Sequence, residues 1–458
     1  MHENKMGIKP VFPLLITMAL PAMFSMFVQS MYNIVDSIFV AQIGQDALTA
    51  VSLAFPIQNF ILAVAVGTGV GINSLIARRL GEGNREEANR VVSHGLLLAA
   101  ASALLFVLFA VTCVRPFFRA YTSSPVIYDY SVRYTMIVTT LSFGTIIHIY
   151  VEKVIQATGK MTLPMIFQII GCVVNIVLDP IFIFGLGPIP SMGIDGAAIA
   201  TVTGQITSML CAVGLLLFRT HDVKLSFHGF RFQWKIVKNI YAVGVPSILM
   251  TSVSSVLVMG LNAILISVHE LAVSLLGIYF KLQSFVFMPV SGLTQGAMPI
   301  MGYNYGAKKR NRLTQAIRDS LILAAAIMAV GTIIFCIWPS QLLYLFNATP
   351  ELLEIGVPAL RLLSISFVFA ACSLIFATLF QAVGKGGQSL LITLLRQLIL
   401  ILPVSYLTVN VLGMGLESVW IAFIGAEAIT SLACLFLYRQ FYQKEIAPLP
   451  VGTGELSQ

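Results

Sequence analysis

Two aspartates stand inside apolar stretches that carry almost no other charge. Asp36 ends the segment Pro21–Asp36 (PAMFSMFVQSMYNIVD), which contains no lysine or arginine, and Asp179 stands directly before Pro180 in NIVLDP. A charge at the centre of a membrane helix costs about 2.5–3.5 kcal/mol even on the milder insertion scales, so such residues are usually functional. Two carboxylates close together could hold Na⁺ or share a proton, and the residue types favour neither ion.

The two carboxylates are predicted to lie at the same depth. Asp36 and Asp179 each precede a glycine-marked turn by eight residues. At ~1.5 Å per residue, each acid lies ~12 Å from that turn. Asn33 and Asn175 stand three and four residues earlier, on the same helical faces. We expect these four residues to form a cation-coupling site, with Asp36, Asp179 and Asn175 as the metal ligands if the ion is Na⁺. The competing interpretation is that the aspartates only bind backbone groups freed by the prolines.

The whole chain has the composition of a multi-pass membrane protein. Of its 458 residues, 58% are hydrophobic and 10% are charged, and its mean hydropathy is +0.91. About twelve apolar runs are each long enough to cross ~30 Å of hydrocarbon. The basic residues that give the net charge of +8 stand in short loops, which indicates orientation in the membrane rather than nucleic-acid binding. Their distribution predicts an inner-membrane protein with both termini in the cytoplasm.

An internal repeat divides the sequence into two halves. Pro246 in VPSIL lies 225 positions after Pro21 in LPAMF, and QAVGK at 381–385 follows QATGK at 156–160 by the same interval. Six spans in each half, an even number, make the two repeats parallel. We therefore predict an all-α fold with an N-terminal six-helix lobe at 1–218, a cytoplasmic linker at 219–238, a C-terminal six-helix lobe at 239–440 and a cytoplasmic tail at 441–458.

These features resemble the MATE (multidrug and toxic compound extrusion) family, in particular its bacterial multidrug-efflux branch. The resemblance rests on the first-helix proline with an aspartate fifteen residues later, the N-x-x-x-D-P motif at Asn175–Pro180, and the doubled QAxGK. It covers essentially the whole chain. It implies a V-shaped, two-lobed antiporter that exports organic compounds in exchange for Na⁺ or H⁺. We expect a monomer without a cofactor.

Other polar residues in the apolar runs are candidates for the substrate cavity. The resemblance places Tyr32 and Glu152 in the lobe of the aspartates, although Glu152 could instead form an interfacial ion pair with its neighbour Lys153. Gln58 and Gln283 occupy equivalent positions of the two repeats, and both are assigned to the cavity.

Lys281 is the notable cation of the second half. It lies eleven residues past Glu270, too deep for easy snorkelling. We expect it to face the cavity and to pair with a membrane acid, Glu427 or Glu152, or else to be a structural lysine capped by carbonyls. Arg396 is expected to be an anchor near the inner end of its helix.

The function predicted from these residues is cation-coupled export by alternating access, with Pro21 and Pro246 as hinges. The position equivalent to Asp36 is Leu261, so cation coupling should reside in the first lobe. The alternative is a lipid-linked oligosaccharide flippase, which should carry several intramembrane arginines for a pyrophosphate group. A channel or a membrane enzyme is the more distant alternative. The sequence contains no Ser/His/Asp, HExxH or Walker pattern, so neither an enzyme nor an ATP-driven pump is expected.

Overall fold

The structure is a computed structural model that describes residues 4–218 and 222–449. The first three residues of the predicted linker and the last nine of the predicted tail lie outside these ranges. All regular secondary structure of the described residues is helical, and the only β-type pairing in these ranges is an isolated bridge between Leu186 and Ile189. Its helices are α1 (Lys5–Ile8), α2 (Val11–Ile43), α3 (Gln45–Gly81), α4 (Arg85–Tyr121), α5 (Pro125–Thr140), α6 (Phe143–Ala157), α7 (Thr162–Phe184), α8 (Ile194–Phe218), α9 (Trp234–Leu265), α10 (Glu270–Gly306), α11 (Arg310–Ile337), α12 (Pro339–Tyr344), α13 (Pro350–Ala382), α14 (Gly386–Leu394), α15 (Ile401–Tyr406) and α16 (Glu417–Phe441). Three π-helical segments, Leu395–Ile399, Leu407–Val411 and Tyr442–Ile446, directly follow α14, α15 and α16, respectively.

Eleven helical segments in the described residues are long and apolar enough to cross a membrane. A twelfth span results if α5 and α6 are counted together, because they pass the same test as a pair bent by 42°. The prediction of an all-α protein with about twelve transmembrane helices is therefore confirmed.

Both repeat-related prolines lie inside continuous helices. Pro21 stands within α2 and Pro246 within α9. A proline removes one backbone hydrogen bond and weakens a helix locally, and membrane helices tolerate it because neighbouring groups satisfy the freed carbonyl. Their role as hinges remains a prediction.

The chain forms two compact units whose boundaries fall inside α2 and α9. Unit 1 comprises Met1–Met23 and Leu249–Gln458, and unit 2 comprises Phe24–Ile248. In unit 2, α3 is the most buried span and packs against α4, α5 and α6, while α7 lies along α8. In unit 1, α13 is the most buried and packs between α11 and α16. The lobe boundary predicted at 219–238 remains a prediction.

Glycines explain how the beginning of each repeat is held in its unit. A Cβ on Gly67 would lie 2.8 Å from the backbone nitrogen of Ile248, so α3 and the beginning of α9 approach closely. At the equivalent place in the second repeat, a Cβ on Gly292 would lie 2.6 Å from the backbone nitrogen of Met23. Small residues permit such close approach of membrane helices. The beginning of α9 therefore packs on α3, and the beginning of α2 packs on α10.

The N-terminal segment is bound to unit 1 by buried polar side chains. Arg312, 8% exposed, donates through Nη2 to the carbonyl of Met6 over 3.1 Å, and Asn304 Nδ2 donates to the same carbonyl over 3.1 Å. Asn4 caps α1 by accepting from the Met6 amide. These contacts fix the residues that precede α2, so the beginning of α2 has a defined anchor.

Candidate functional site

The two predicted aspartates meet inside unit 2. α2 carries Asp36 and α7 carries Asp179, and their carboxyl groups face each other at hydrogen-bonding range. Asp179 is completely buried. Asp36 Oδ1 is also buried and accepts no hydrogen bond from any residue of the described ranges. Two carboxylates this close repel strongly in a medium of low dielectric, so a proton or a cation is needed between them.

Asn175 links Asp179 to the neighbouring helix. With the amide oriented to satisfy both neighbours, Nδ2 donates to Asp179 Oδ2 over 3.0 Å and Oδ1 accepts from the backbone amide of Thr201 over 3.0 Å. This link requires α7 and α8 to lie very close. A Cβ on Gly204 would lie 2.7 Å from the carbonyl oxygen of Gly171, so glycine on both helices permits the approach. The predicted grouping of Asp36, Asp179 and Asn175 is thus present in the geometry.

Hydroxyl groups surround the carboxyl pair. Tyr32, one turn before Asp36, and Tyr134 of α5 are both close enough to interact with the Thr201 hydroxyl. Gln58 Nε2 donates to the Tyr134 hydroxyl over 3.1 Å. The structure thereby places Tyr32 and Gln58, both predicted for the cavity, beside the aspartates. Sequence reasoning missed Tyr134 and Thr201, because hydroxyl residues are common in apolar helices and neither carries a charge that stands out.

This set of side chains suits either of the two expected ions. It offers carboxylate, amide and hydroxyl oxygens, which are the ligands that hard cations prefer. The described residues contain no cluster of three or more His, Cys, Asp or Glu side chains, so Na⁺ would need the neutral oxygens as well as the two acids. Asp36 Oδ1, which has no partner in the described residues, can be protonated or can bind a cation. The residues therefore fit Na⁺ and H⁺ alike.

Two other predicted residues of this half lie apart from the pair. Asn33 is exposed, and its backbone carbonyl accepts from the Ser37 hydroxyl. Glu152 accepts from Gln156 Nε2 over 2.7 Å and forms an ion pair with Lys153 at 3.3 Å. This is the local pairing given above as the alternative for Glu152.

The cations and acids of unit 1 pair differently from the expectation. Lys281 is exposed, and its Nζ lies 5.9 Å from the ring centre of Phe346. The expected pairing of Lys281 with Glu427 is wrong, because Glu427 binds Arg396 at 2.5 Å in the same unit, and the alternative pairing with Glu152 stays a prediction. Arg396 is accordingly not a simple anchor at the helix end. Gln283 is half-buried on α10 in the same unit.

Comparison with known proteins identifies the family. The MatE family model matches residues 21–181 and 246–407, two matches that begin 225 positions apart and so confirm the internal repeat. The FAD transporter of Shewanella oneidensis is 26% identical over 443 residues, covering 93% of this chain and 94% of that protein. The multidrug export protein MepA of Staphylococcus haemolyticus is 23% identical over 431 residues, covering 93% of each.

Solved structures agree with this match along nearly the whole chain. An outward-facing multidrug resistance MATE family transporter of the MOP superfamily superposes with a TM-score of 0.88 at 26% identity, covering 98% of this chain and 99% of that one. A MOP superfamily transporter from Pyrococcus furiosus gives a TM-score of 0.89 at 26% identity with the same coverage. The chain belongs to the MATE family, and it is a multi-pass membrane transporter rather than an enzyme.

Proposed function

We propose that this transporter is an H⁺- or Na⁺-coupled antiporter that exports organic compounds across the cytoplasmic membrane by alternating access. The observation that carries the proposal is the Asp36–Asp179 pair, in which Asp179 is fully buried and the buried Oδ1 of Asp36 has no partner among the described residues. A bound proton or cation stabilises a site of this kind, and its release removes that stabilisation. That difference is what couples an ion gradient to a change of conformation.

The coupling step follows from electrostatics. Two unit charges 4 Å apart interact by about 4 kcal/mol at an effective dielectric constant of 20. Neutralisation of the pair removes this repulsion, so the Asp36 carboxyl group can close the remaining gap to Asp179 and form a hydrogen bond with it. Because Asp36 stands fifteen residues beyond Pro21 on α2, the approach bends this helix at the proline. Tyr32 moves with it, which changes the cavity and displaces the substrate outward.

Orientation and assembly complete the proposal. The excess of Lys and Arg in the loops that precede and follow the spans supports cytoplasmic termini. We assign the linker at 219–238 to the cytoplasm and the lobes to residues 1–218 and 239–440, with the protein acting as a monomer. The MatE match favours an antiporter over the lipid-linked oligosaccharide flippase.

Transport by purified protein in liposomes tests the function. Ethidium flux should follow an imposed H⁺ or Na⁺ gradient, with the two ions varied independently. Asp36→Asn and Asp179→Asn should abolish the gradient-driven component. Asp129→Asn is the matched control, because Asp129 is exposed in the same unit and paired with Arg133. Undiminished gradient-driven flux in both site variants would rule out the proposed coupling residues.

A second substrate class is supported by one relative. The FAD transporter of Shewanella oneidensis is similar along 93% of this chain, which makes flavin nucleotides candidate substrates beside drugs. Uptake of FAD into inside-out vesicles, driven by the same gradients, would measure this activity. Competition between FAD and ethidium would show whether one site serves both.

A further inference from the structure

Unit 1 contains a buried ion pair that the coupling mechanism does not use. Arg396 Nε lies 2.5 Å from Glu427 Oε1, and the two side chains are 11% and 7% exposed. Arg396 stands ten residues inside the span Gly386–Val411, and Glu427 stands ten residues inside the span Glu417–Ile446. At ~1.5 Å per residue, both lie ~15 Å from the end of their helix. Charged residues at such depth are retained for function.

The pair leaves most of the guanidinium unused. Arginine has five N–H donors, and bidentate contact with a carboxylate is its common geometry. Here only Nε donates to Glu427, and the two terminal nitrogens donate to no residue in the described ranges. The second oxygen of Glu427 lies 3.3 Å from the Ser373 hydroxyl. Glu427 therefore orients Arg396 from one side and leaves the donor fork of the arginine available on the other.

The surroundings of Arg396 are aromatic and its backbone is irregular. Its guanidinium carbon lies 5.5 Å from the ring centre of Phe287, and the buried Tyr279 is close enough to interact electrostatically with both members of the pair. Arg396 itself belongs to the π-helical segment Leu395–Ile399. Single π turns in α-helices occur frequently at functional sites. An aromatic ring beside a free guanidinium fork suits an organic molecule that carries an oxyanion.

We propose that Arg396 is the anion-recognition residue of a second binding site, which takes a carboxylate or phosphate group of a transported organic compound. Glu427 positions the guanidinium, and its negative charge weakens anion binding. Phe287 contacts the apolar part of the ligand, and the buried Tyr279 lies behind the ion pair. This inference rests on the proposed export function and names a substrate class for it, organic anions and zwitterions. A phospholipid headgroup offers the same oxyanion, so the experiment includes a lipid arm.

Flavin mononucleotide and riboflavin form a matched probe pair, because they differ only in one phosphate. Their binding to the purified full-length protein in detergent is measured by fluorescence titration. Wild-type protein should bind flavin mononucleotide more tightly than riboflavin, and Arg396→Met should remove this preference, a loss of roughly 10- to 100-fold as expected for a charged hydrogen bond. Arg396→Lys should retain only part of it, since lysine lacks the fork. Arg361→Met is the control, because Arg361 is an exposed arginine of the same unit.

Glu427→Gln separates anion recognition from other roles. It keeps the shape of the side chain and removes the competing charge, so affinity for flavin mononucleotide should rise while affinity for riboflavin stays the same. Misfolding cannot produce such a gain. A loss of flavin mononucleotide binding together with a loss of gradient-driven flux would make Glu427 a cation carrier and overturn the proposal.

The lipid arm repeats the titration with phosphatidylglycerol in the micelles and weighs the retained lipid by native mass spectrometry. Loss of the phosphate preference in Arg396→Met without competition from lipid supports a soluble substrate. Arg396-dependent retention of phosphatidylglycerol, without a flavin preference, supports a lipid headgroup as the source of the oxyanion. If neither probe responds to Arg396→Met, the inference is wrong.

The binding test stands apart from the test of coupling. Asp36→Asn should bind flavin mononucleotide as the wild type does and yet lack gradient-driven flux. Failure of the inference would leave the flux of the wild type intact, whereas failure of the proposed function would leave Arg396-dependent binding intact.

Discussion

Neutralising one member of the Asp36–Asp179 pair should stabilise the protein at alkaline pH in the absence of Na⁺. Asp36 and Asp179 face each other at hydrogen-bonding range in unit 2, and both are charged when neither a proton nor a cation is bound. Asp36→Asn or Asp179→Asn removes one charge and places an amide donor next to the remaining carboxylate. We expect either variant to melt at a higher temperature than the wild type under these conditions.

The size of the effect can be bounded by taking the two charges to be about 4 Å apart. At 4 Å and an effective dielectric constant of 20, the repulsion is about 4 kcal/mol, which is an upper limit because water and structural relaxation reduce it. For a unit of about 200 residues, 1 kcal/mol corresponds to roughly 2–4 °C in melting temperature. Half of the upper limit would therefore raise the apparent melting temperature by about 4–8 °C. The double variant should gain little more than either single variant, because the repulsion can be removed only once.

Melting of the detergent-purified protein can be followed with a thiol-reactive dye. Cys172, on the same helix as Asp179, is 4% exposed and becomes accessible when unit 2 unfolds. Melting curves are recorded at one scan rate at pH 6 and pH 9, with Na⁺ or choline as the cation. The wild type should be stabilised by lowering the pH, by adding Na⁺, or by both, and the variants should lose this response. Asp129→Asn is again the control.

Two results would contradict the reasoning. If the wild type and both single variants respond equally to pH and Na⁺, the pair is not where these ions act. If the double variant gains the sum of the single effects, the two carboxyl groups do not repel each other. A response of the wild type to Na⁺ at pH 9 would identify Na⁺ as a coupling ion, and a response to pH alone would identify H⁺.

Three further predictions concern packing, hydroxyl groups and the local ion pair. Gly71→Ala should lower the apparent melting temperature by several degrees, because its Cβ would lie 2.1 Å from a backbone carbonyl oxygen. Gly277→Ala, whose Cβ would have no atom within 4 Å, should leave the melting temperature unchanged or raise it. Equal melting temperatures of the two variants would refute the packing argument. Thr201→Val should slow gradient-driven ethidium flux about 5- to 10-fold, the equivalent of one lost hydrogen bond, with riboflavin binding unchanged as the check on folding. Glu152→Gln should retain gradient-driven flux within about twofold and lower thermal stability, because Glu152 pairs locally with Lys153 and Gln156. Complete loss of flux, as expected for Asp36→Asn, would instead show that Glu152 has a role in transport.

The sequence allowed the helices, the repeat and the acid pair to be predicted, for one physical reason. In apolar helices a charge or a proline is rare, so Asp36, Asp179 and Pro21 stand out without any structural information. Equal distances from the ends of two helices then place the acids at one depth. The structure brings the pair together as that argument requires, and the MatE match confirms the repeat.

What could not be predicted depends on helix rotation and on contacts distant in sequence. At 100° per residue, Tyr32 lies ~40° from Asp36 around α2 and Asn33 lies ~60° away on the other side, which separates a half-buried tyrosine from an exposed asparagine. Tyr134 and Thr201 lie on two other helices, and no spacing rule connects them with α2. The pairing of Arg396 with Glu427 was missed for the same reason, since both charges were evident and only packing decides which cation meets which acid.

The two repeats use equivalent helices for opposite chemistry. α7 follows QATGK and carries Asn175 and Asp179, while α14 and its π segment follow QAVGK and carry Arg396. In the first repeat the polar cluster between this helix and the next is acidic, and in the second it is an arginine held by Glu427 with donors to spare. Leu261, the counterpart of Asp36, is fully buried, so the second repeat keeps the backbone frame and fills that position with apolar packing. The duplicated fold thus places negative charge in one half and an available cation in the other, which can assign ion coupling and anion recognition to separate units. A substitution at Arg396 should therefore change which compounds are transported, while the coupling ion stays the same.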